Sequence, residues 1–423
     1  MRFETLAEWL AWQETLHPTV IDLGLERVNA VAARLGLLAP KHTVISVAGT
    51  NGKGSSVALL ESILVSAGHR VGSYTSPHIL NYNERIRIDR QPIADADLML
   101  AFERIDQARG DISLSYFEFG TLAAMDLFEH AALDVALLEV GLGGRLDAVN
   151  IQDADVALIT AIGIDHVDWL GPDRESIGRE KAGIFRAGRP AICSDPAPPQ
   201  SVRATAAGLA ADWYALNEHF GFELRDACWD WWGPELRLMD LPPPALPGPI
   251  QVQNAAGVLM VLHCLGERLP VTLQALHTGL QQMRLRGRFE VVPGPIEHIF
   301  DVAHNPHAAV QLAAALAARP CRGRTLAVCG MLADKDAAGV AAALSAQVQS
   351  WYLGGLDGAR GQSAQLLAQR MGVADQNTHL YADVLAAYEA ACEAAQTGDR
   401  ILIFGSFHTI AELLPAAYNA GTV

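Results

Sequence analysis

The pattern of apolar and polar positions along the chain changes repeatedly between a strand pattern and a helix pattern. Short apolar runs rich in β-branched residues, such as 44–47 and 134–140, are typical of strands that are buried on both faces. The segments between such runs carry apolar residues at the three- and four-residue spacing of amphipathic helices. This alternation predicts an α/β fold in which helices cover both faces of a parallel sheet.

The first two-thirds of the chain is predicted to form one such unit. Its segment 75–89 is predicted to be a polar loop, and 220–250 breaks the alternation with paired hydrophobics and a proline cluster, which indicates a small antiparallel sheet and a rigid connector. Packing explains the tryptophans of that stretch, Trp229, Trp231 and Trp232, better than an aromatic ligand platform does. We predict strands at 44–47, 70–74, 134–140, 156–162 and 190–193, and helices at 4–16, 25–36, 57–64, 95–108, 117–130, 173–186, 254–266 and 272–283.

Turn residues at 289–296 predict a linker between two domains, 1–289 and 290–423. Strands and helices alternate again beyond this linker, so we expect a second, smaller Rossmann-like α/β domain with its own sheet. The linker is the expected hinge between the two. Predicted strands in the second domain lie at 297–301, 324–329, 351–353 and 400–404, and predicted helices at 307–318, 335–346, 362–371, 382–395 and after the last strand.

Composition excludes several classes of protein. The chain has 423 residues, 50% of them hydrophobic, which is enough to bury two cores. Its formal net charge of −16 argues against nonspecific binding to nucleic acid or to an anionic membrane. We find no apolar run of membrane-spanning length and no signal-peptide pattern, so we expect a cytoplasmic protein. Six cysteines without a C-x-x-C pair indicate neither a zinc site nor a disulfide framework.

The stretch GTNGKGS, which follows the first predicted strand, predicts a phosphate-binding loop. Its three glycines let the backbone fold closely round an anion with N–H groups pointing inward, and Lys53 adds a positive charge. Ser55 offers a hydroxyl to Mg²⁺ at a helix N-terminus. The standard Walker motif has a glycine where Val47 stands here. A turn made only for tight packing is the alternative, but the adjacent lysine and serine favour a nucleoside triphosphate.

Two further candidates for ligand binding lie at or after the carboxyl ends of predicted strands, the edge at which open α/β sheets bind ligands. Glu139 ends an apolar strand, where a carboxylate is costly unless it meets a cation such as Mg²⁺. His166 stands between Asp165 and Asp168 after another strand, although a lone histidine is more often an ordinary core or surface residue. Imidazole is an uncommon Mg²⁺ ligand, which makes tolerance of Mn²⁺ plausible. Ser76 offers a hydroxyl from the loop after the second strand.

Other polar residues are open to an ordinary structural interpretation. Lys181, in REKAGIF, is predicted from the residues alone to be a solvated helix lysine. Asp301, His304 and Asn305 follow a strand of the second domain, where an Asn-Pro helix start is the simple interpretation. A second charged strand end facing the first would instead close a cleft between the domains.

Taken in order, the motifs resemble one known family. GTNGKGS, TSPHILNYNERIRI, LEVGLGGRLDAVN, GIDHVDWLG, REKAGIF, NAA, GRFE, FDVAHNPHA and GSFHT are similar to the motifs of the folylpolyglutamate synthase family of the Mur-ligase superfamily, and most of all to its bifunctional dihydrofolate synthase branch. The resemblance covers essentially the whole chain. It implies a P-loop parallel-sheet ATPase domain followed by the smaller α/β domain.

The resemblance also implies roles for individual residues. Lys181 matches a lysine that family members carry as an N6-carboxylated residue, which turns a cation into a metal-binding carboxylate. Two divalent metal ions, Mg²⁺ or Mn²⁺, would accompany ATP. The implied ATP-binding residues are Gly49, Thr50, Asn51, Gly52, Lys53, Gly54, Ser55, Asn254, Arg288 and Asp301, and the implied metal-binding residues are Ser76, Glu139, His166 and Lys181.

Substrate-binding residues are implied in the same way. L-Glutamate would bind on the second-domain side of the cleft, near His304, Ser406 and His408. The pterin of dihydropteroate or of a reduced folate would contact three short segments of the first domain. These segments contain Val20, Ile21, Asp22, Leu23, Ser115, Tyr116, Phe117, Glu118, Leu146, Asp147 and Ala148.

The implied reaction is ATP-dependent amide formation by a monomer. The acceptor carboxylate would attack the γ-phosphate of ATP, and the amine of glutamate would then displace phosphate from the acyl phosphate. Closure of the two domains would exclude water from this intermediate. Folylpolyglutamate synthase activity alone is the first alternative. A muramyl-peptide ligase would need a further N-terminal domain, and a GTPase-like switch would need an N-K-x-D motif, which is absent.

Overall fold

The computed structural model describes residues 2–19, 21–373 and 376–420. The chain divides into two compact units, one formed by Met1–Ala245 with Gln251–Met283 and the other by Leu246–Ile250 with Arg284–Val423. Both units are α/β, so the predicted fold class is confirmed. The roles assigned to the two domains stay predictions.

The first unit is built on an eight-stranded sheet. Its strand order is β4-β3-β2-β5-β1-β6-β7-β8, with β2, β5, β1, β6, β7 and β8 parallel and β3 and β4 antiparallel at one edge. The apolar runs form the central strands because both faces of these strands are covered. The strands are β1 (Thr43–Ala48), β2 (Val71–Tyr74), β3 (Ile86–Ile88), β4 (Gln91–Pro92), β5 (Val135–Glu139), β6 (Val156–Ile159), β7 (Pro190–Cys193) and β8 (Asp212–Ala215).

In the described part of the chain, ten α-helices are assigned mainly to this unit, and the last two of them follow the insertion described next. Helix α3 is buried on every face between Ser55 and Leu64, and a Cβ at Gly279 of α10 would lie 2.5 Å from the Cα of Ile63. The helices are α1 (Leu6–Thr15), α2 (Glu26–Leu35), α3 (Lys53–Ser66), α4 (Asp95–Arg109), α5 (Tyr116–His130), α6 (Val167–Leu170), α7 (Arg174–Ala182), α8 (Gln200–Gly208), α9 (Pro249–Leu265) and α10 (Leu273–Gln282).

A small antiparallel sheet interrupts this unit, as the sequence predicts. Its strands are β9 (Gly221–Leu224), β10 (Trp229–Gly233) and β11 (Leu236–Leu241), with β10 in the middle. Trp229 and Trp231 are each 1% exposed, and their indole N–H groups donate to the carbonyl oxygens of Pro242 and Ala256 at 2.9 and 3.1 Å. Packing is therefore the role of these two tryptophans.

The second unit contains a six-stranded sheet in the order β12-β13-β17-β14-β15-β16. Only β12 is antiparallel, and it pairs with β13 through Glu290 and Phe300. The strands are β12 (Glu290–Val292), β13 (Glu297–Asp301), β14 (Thr325–Cys329), β15 (Ser350–Gly354), β16 (Thr378–Tyr381) and β17 (Arg400–Phe404); the helices are α11 (Pro306–Ala318), α12 (Ala337–Leu344), α13 (Ala364–Met371), α14 (Val384–Ala394) and α15 (Phe407–Ala420).

The structure corrects several predicted elements. The segment 75–89 is not all loop, because it contains a 3₁₀ helix at Tyr82–Arg85 and strand β3. The predicted linker 289–296 contains strand β12. The predicted helix 173–186 ends at Ala182, where a Cβ on Gly183 would lie 2.4 Å from the Cβ of Arg145. The strands and α-helices absent from the prediction are β3, β4, α6, α8, β8, β12 and β16.

Helix α9 begins earlier than predicted. The predicted start is residue 254, but the helix starts at Pro249. Proline is tolerated in the first turn of a helix, where its missing N–H has no partner to lose.

None of the helices in the described part of the chain has both the length and the apolar character that a membrane crossing needs.

Candidate active site

The predicted phosphate loop connects β1 to α3 and depends on two glycines. Gly49 has φ 153°, and a Cβ there would lie 1.8 Å from the hydroxyl oxygen of Thr160. Gly52 has φ 92°, and its Cβ would lie 2.6 Å from Oδ1 of Asn254. Any larger residue at either position would therefore be strained and would clash. The loop can approach its neighbours closely only because these positions lack side chains.

The end of β6 holds this loop in place. The N–H of Thr50 donates to the carbonyl of Ala161 at 2.7 Å, and the Thr50 hydroxyl lies 3.0 Å from both the carbonyl oxygen and the nitrogen of Gly163. The hydroxyl of Thr160 donates to the carbonyl of Asn51 at 2.7 Å. The sequence analysis missed Thr160. Its only signal is a hydroxyl residue at the end of an apolar strand.

Asn254 reaches the loop from α9. It is 2% exposed, and its Nδ2 donates to Oε1 of Gln251 at 3.2 Å. Its Oδ1 is buried without a hydrogen-bond partner among the described residues. A buried polar atom without a partner is costly, so this side chain suits a site that a ligand completes.

Two lysines meet at the carbonyl oxygen of Gly49. Lys53 donates to it at 3.0 Å and Lys181, which reaches the loop from α7, at 2.9 Å. Lys181 is 3% exposed, so the interpretation of it as a solvated lysine is wrong. Burial, reinforced by the charge of Lys53, lowers the pKa of Lys181 to about 7, while Asp165 and Asp147 act in the opposite direction. A large share of Lys181 is consequently neutral near pH 7.

The strand ends bring two of the predicted metal ligands together. Glu139 ends β5 in register with Val47 of β1, and it is 5% exposed. Its Oε2 accepts the N–H of Ser76 at 3.2 Å, from the loop that follows β2. His166 lies on the loop after β6, with φ 52°, and its Nε2 is 4.0 Å from Oδ2 of Asp165. Asp165 also acts electrostatically on Lys181, which connects this loop to the two lysines.

These residues fit a divalent metal only if Lys181 changes its chemistry. In residues 2–19, 21–373 and 376–420, no three His, Cys, Asp or Glu side chains are grouped so that they could hold a metal ion. The predicted set has just two residues of these types, Glu139 and His166. Carboxylation of the Lys181 nitrogen would add a carboxylate, the ligand that Mg²⁺ prefers. A buried amine whose pKa is about 7 is suited to that reaction, because only the neutral amine attacks CO₂.

Contacts join the three predicted pterin-binding segments. Arg27 donates to Asp22 in the first segment and to Glu118 in the second. Phe117 packs over Gly141, where a Cβ would lie 2.6 Å from the ring and 3.3 Å from Oδ2 of Asp147, in the third segment. Val20 lies outside the described residues. The structure therefore brings the described parts of the three segments together.

Asp147 is a buried carboxyl group in the third segment. Its two oxygens accept the N–H groups of Leu142 at 2.8 Å and Val149 at 3.0 Å. Burial raises its pKa to about 6, although these backbone hydrogen bonds oppose the change. Asp147 thus orders its own segment and adds negative charge near Lys53 and Lys181.

In the second unit, the end of β13 carries the predicted nucleotide and base residues. Burial raises the pKa of Asp301, while the nearby Arg288 opposes this, and the Asp301 oxygens accept the N–H groups of Phe289 and Ala303. The guanidinium of Arg288 lies 5.5 Å from the ring centre of Phe407, whose ring is also 6.5 Å from that of His304. The ring of Phe407 thus neighbours both of these side chains.

The remaining candidates of the second unit differ in character. Asn305 caps α11, because its side-chain amide oxygen accepts the N–H of Ala308. The hydroxyl of Ser406 accepts the N–H of Thr409 and so caps the start of α15. His408 is exposed. Lys335 is 8% exposed and lies in the charged run ADKD, a few residues after the end of β14.

Comparisons with known proteins agree on one group of relatives. The chain is 48% identical to the dihydrofolate synthase/folylpolyglutamate synthase of Escherichia coli (strain K12), over 97% of this chain and 94% of that protein. It is 43% identical to the protein of the same name from Haemophilus influenzae, over 96% of each chain. The family model described as Mur ligase, glutamate ligase domain, matches residues 287–407.

Solved structures give the same result. The structure of E. coli FolC in complex with DHPP and ADP matches with a TM-score of 0.94 and 47% identity, over 99% of this chain and 98% of that one. A bifunctional folylpolyglutamate synthase/dihydrofolate synthase with Mn, AMPPNP and L-glutamate bound matches with a TM-score of 0.91 and 49% identity, over 98% of each chain. The likeness therefore extends over both units.

Proposed function

The chain belongs to the dihydrofolate synthase/folylpolyglutamate synthase family, and we propose on that basis that it joins L-glutamate to dihydropteroate and to the γ-carboxylate of reduced folates at the expense of ATP. The observation that carries the proposal is the buried Lys181, hydrogen bonded to the loop carbonyl of Gly49. A phosphate loop used only for nucleotide binding has no need of a second lysine in that position.

The first step is activation of the acceptor. A carboxylate does not react with an amine in water, so the acceptor carboxylate attacks the γ-phosphate of ATP and becomes an acyl phosphate, with release of ADP. The N–H groups of the loop and the ammonium of Lys53 balance the charge that develops on the phosphoryl oxygens. The anchors at Thr50 and Thr160 keep the loop ready for this role. We propose that Asn254, Arg288 and Asp301 also contact ATP.

Divalent metal ions belong to the proposed site. Ser55, Ser76, Glu139, His166 and the carboxylated form of Lys181 would hold them, and the expected ion is Mg²⁺, with Mn²⁺ as a substitute. When bound, such ions neutralise phosphate charge and polarise the phosphoryl group. Support comes from the contact between Ser76 and Glu139 and from the lowered pKa of Lys181.

The second step is attack of glutamate on the acyl phosphate. Its amine forms the amide bond, phosphate leaves, and a base takes the proton that the amine loses. We propose His304 for this base. Its Nδ1 lies 2.8 Å from the carbonyl oxygen of Val302, which can only accept, so Nδ1 carries the proton in the neutral ring. The lone pair is then on Nε2, the ring atom at which a base would accept the proton.

The acceptor side of the proposal rests on the three joined segments of the first unit. We propose that Ile21, Asp22 and Leu23, residues 115–118 and residues 146–148 contact the pterin, as the family resemblance implies. The contacts of Arg27 and of Phe117 support a single site made from these segments. Ser406 and His408 are the corresponding proposals for glutamate, of which Ser406 already caps a helix.

The deciding experiment is a measurement of phosphate release that depends on both ATP and glutamate. It is run with dihydropteroate and, separately, with tetrahydrofolate as acceptor. Turnover with both supports the bifunctional enzyme. Turnover with tetrahydrofolate alone reduces the function to chain extension, and turnover with neither rejects the proposal.

We further propose that the enzyme acts as a cytoplasmic monomer. The six cysteines, of which Cys193 and Cys329 are buried, are all free, which suits a reducing compartment. Light scattering coupled to size-exclusion chromatography measures the oligomeric state, and a mass near twice the 45.3 kDa of the chain would contradict the second part.

A further inference from the structure

Arg27 on α2 joins two segments that are far apart in the sequence. Its NH1 donates to Oδ2 of Asp22 at 2.7 Å, and its NH2 donates to the Asp22 carbonyl at 3.3 Å and to Oε1 of Glu118 at 3.1 Å. The partner on α5 is 91 positions away. One guanidinium therefore connects the first and second segments of the proposed pterin site.

The two carboxylates are held on their other sides as well. Nε2 of His17 lies 3.1 Å from Oδ2 of Asp22, and Nδ1 of the same ring lies 3.0 Å from the hydroxyl of Ser113. Oε2 of Glu118 accepts the N–H of Ser115 at 2.7 Å in the capping box of α5. The network therefore fixes the chain direction at the start of α5 relative to residue 22.

The network leaves one oxygen of Asp22 available. Oδ2 accepts from both Arg27 and His17, whereas Oδ1 has no hydrogen-bond partner in the described part of the chain. The Asp22 side chain is 39% exposed, against 4% for Glu118. Asp22 is thus the carboxylate that has an oxygen without a partner among the described residues and that is also exposed enough for a ligand to reach. A pterin carries N–H donors that such an oxygen can accept.

We propose that Arg27 is a positioning residue for the acceptor: it holds Asp22 and Glu118 at a fixed separation, so that the two segments are already in place when the pterin binds. This inference rests on the proposed function, because it needs residues 21–23 and 115–118 to contact the acceptor. It assigns Arg27 no contact with ATP, glutamate or the reacting atoms.

A lysine cannot replace this arginine fully. The guanidinium presents several N–H groups in a rigid planar fork, which lets it bind two carboxylates at once, whereas an ammonium is a single point of charge. Arg27→Lys should keep the charge next to Glu118 but lose part of the geometry. Arg27→Met loses both and leaves the buried Glu118 without this cation.

Steady-state kinetics with each substrate varied in turn test the proposal. Arg27→Met should raise KM for dihydropteroate roughly 10- to 100-fold and Arg27→Lys roughly 3- to 10-fold, since each lost charge-assisted hydrogen bond weakens the site. KM for ATP and for glutamate should stay within about twofold. The matched control is Arg34→Met on the same helix, because Arg34 donates only to the carbonyls of Ala108 and Arg109. This control should leave all three KM values within about twofold.

The outcomes separate the inference from the proposed function. Wild-type turnover, with dihydropteroate or tetrahydrofolate, reports on the function alone, and the ratio of variant to wild-type KM reports on Arg27. Calorimetric titration with dihydropteroate gives the same ratio without turnover. An unchanged acceptor KM in Arg27→Met, or equal changes for all three substrates, overturns the inference. If Arg27→Met does not fold, Arg27→Lys decides: an acceptor KM within about twofold of wild type overturns it.

Discussion

The side-chain nitrogen of Lys181 lies 2.9 Å from the carbonyl oxygen of Gly49, inside the loop that is proposed to hold the phosphates of ATP. Lys53 reaches the same oxygen at 3.0 Å. Burial lowers the pKa of Lys181, and the repulsion between two charged amines on one carbonyl adds to this effect. Carboxylation of Lys181 would replace this repulsion by an attraction to Lys53.

Replacement of Lys181 by alanine is the first test of the proposed carbamate. We expect Lys181→Ala to lower kcat roughly 10²- to 10³-fold, because the carboxylate that would hold a divalent metal ion is lost. Added acetate should restore part of the rate, since it supplies a carboxylate to the vacated space. Lys41→Ala is the control, because Lys41 is 89% exposed and pairs with Glu129. Full activity of Lys181→Ala would rule the carbamate out.

Lys181 should also make stability depend on pH. Its pKa falls from an ordinary 10.5 to about 7 on folding, so folding favours the neutral amine. Burial of Lys181 therefore lowers the free energy of unfolding; this loss is absent above about pH 10.5 and grows as the pH falls towards 7. In metal-free buffer without CO₂, Lys181→Met should therefore be stabilised more at pH 7 than at pH 9, by roughly 2 kcal/mol in the free energy of unfolding. Urea unfolding at the two pH values measures this, and an equal effect at both would contradict it.

Gly49 should tolerate no side chain. A Cβ at 1.8 Å from the Thr160 hydroxyl must displace the anchor of the loop, so Gly49→Ala should lose about 3 kcal/mol of stability and bind ATP at least tenfold more weakly. Thermal unfolding and nucleotide titration measure the two effects. The control is Gly208→Ala in α8, where a Cβ would meet no atom within 4 Å, and it should be neutral or slightly stabilising. Normal ATP binding by Gly49→Ala would show that the loop has another geometry.

Glu139 should govern the requirement for metal. Glu139→Gln keeps an oxygen that can accept the N–H of Ser76 but removes the charge, so the Mg²⁺ concentration for half-maximal activity should rise at least roughly tenfold. A Mg²⁺ titration of activity provides the measurement. Glu129→Gln on α5 removes a carboxylate that pairs with the exposed Lys41, and it should leave the titration unchanged. The same titration curve in Glu139→Gln and wild type would remove Glu139 from the metal site.

His304 should affect amide formation more than phosphoryl transfer. Without its base, His304→Ala should form product about 10²-fold more slowly, and the acyl phosphate should be lost to water more often. The ratio of glutamylated product to phosphate released would then fall. His379→Ala on β16 serves as the control, because three strands of the sheet, β17, β14 and β15, separate β16 from β13. A lower rate with an unchanged ratio would assign His304 to substrate binding instead.

The sequence predicted the secondary-structure elements that the local pattern of apolar and polar residues determines. Apolar runs located the central strands, because strands buried on both faces leave a continuous apolar signal. Arg400–Phe404, which is buried along its whole length, was predicted to the residue, and so was Glu297–Asp301, whose ends are polar and only partly buried. Strand β16 was missed, since it lies at the sheet edge and is largely exposed. An edge strand packs against only one neighbouring strand, so its pattern of apolar residues is weaker.

The candidate site likewise contains some features that the local sequence pattern predicts and others that it does not. The loop could be recognised because its glycines, lysine and serine are consecutive, but the burial of Lys181 is invisible in REKAGIF, whose polar residues are typical of a surface helix. The link from Arg27 to Glu118 spans 91 positions, and no local pattern reports such a contact. The family resemblance indicated that Lys181 has a role in the site, and its burial in the structure explains how a lysine can take that role.

Helix α3 carries the phosphate loop at its start and is buried on all faces from Ser55 to Leu64, with the hydroxyl of Ser62 bonded to the carbonyl of Gly279. A support of this kind leaves the loop little conformational freedom to lose when ATP arrives. Binding then costs little ordering entropy, and more of the binding free energy remains to favour the transition state. The rigidity of the buried part of α3, beyond the residues that would contact ATP, thus becomes part of the catalytic efficiency of the enzyme.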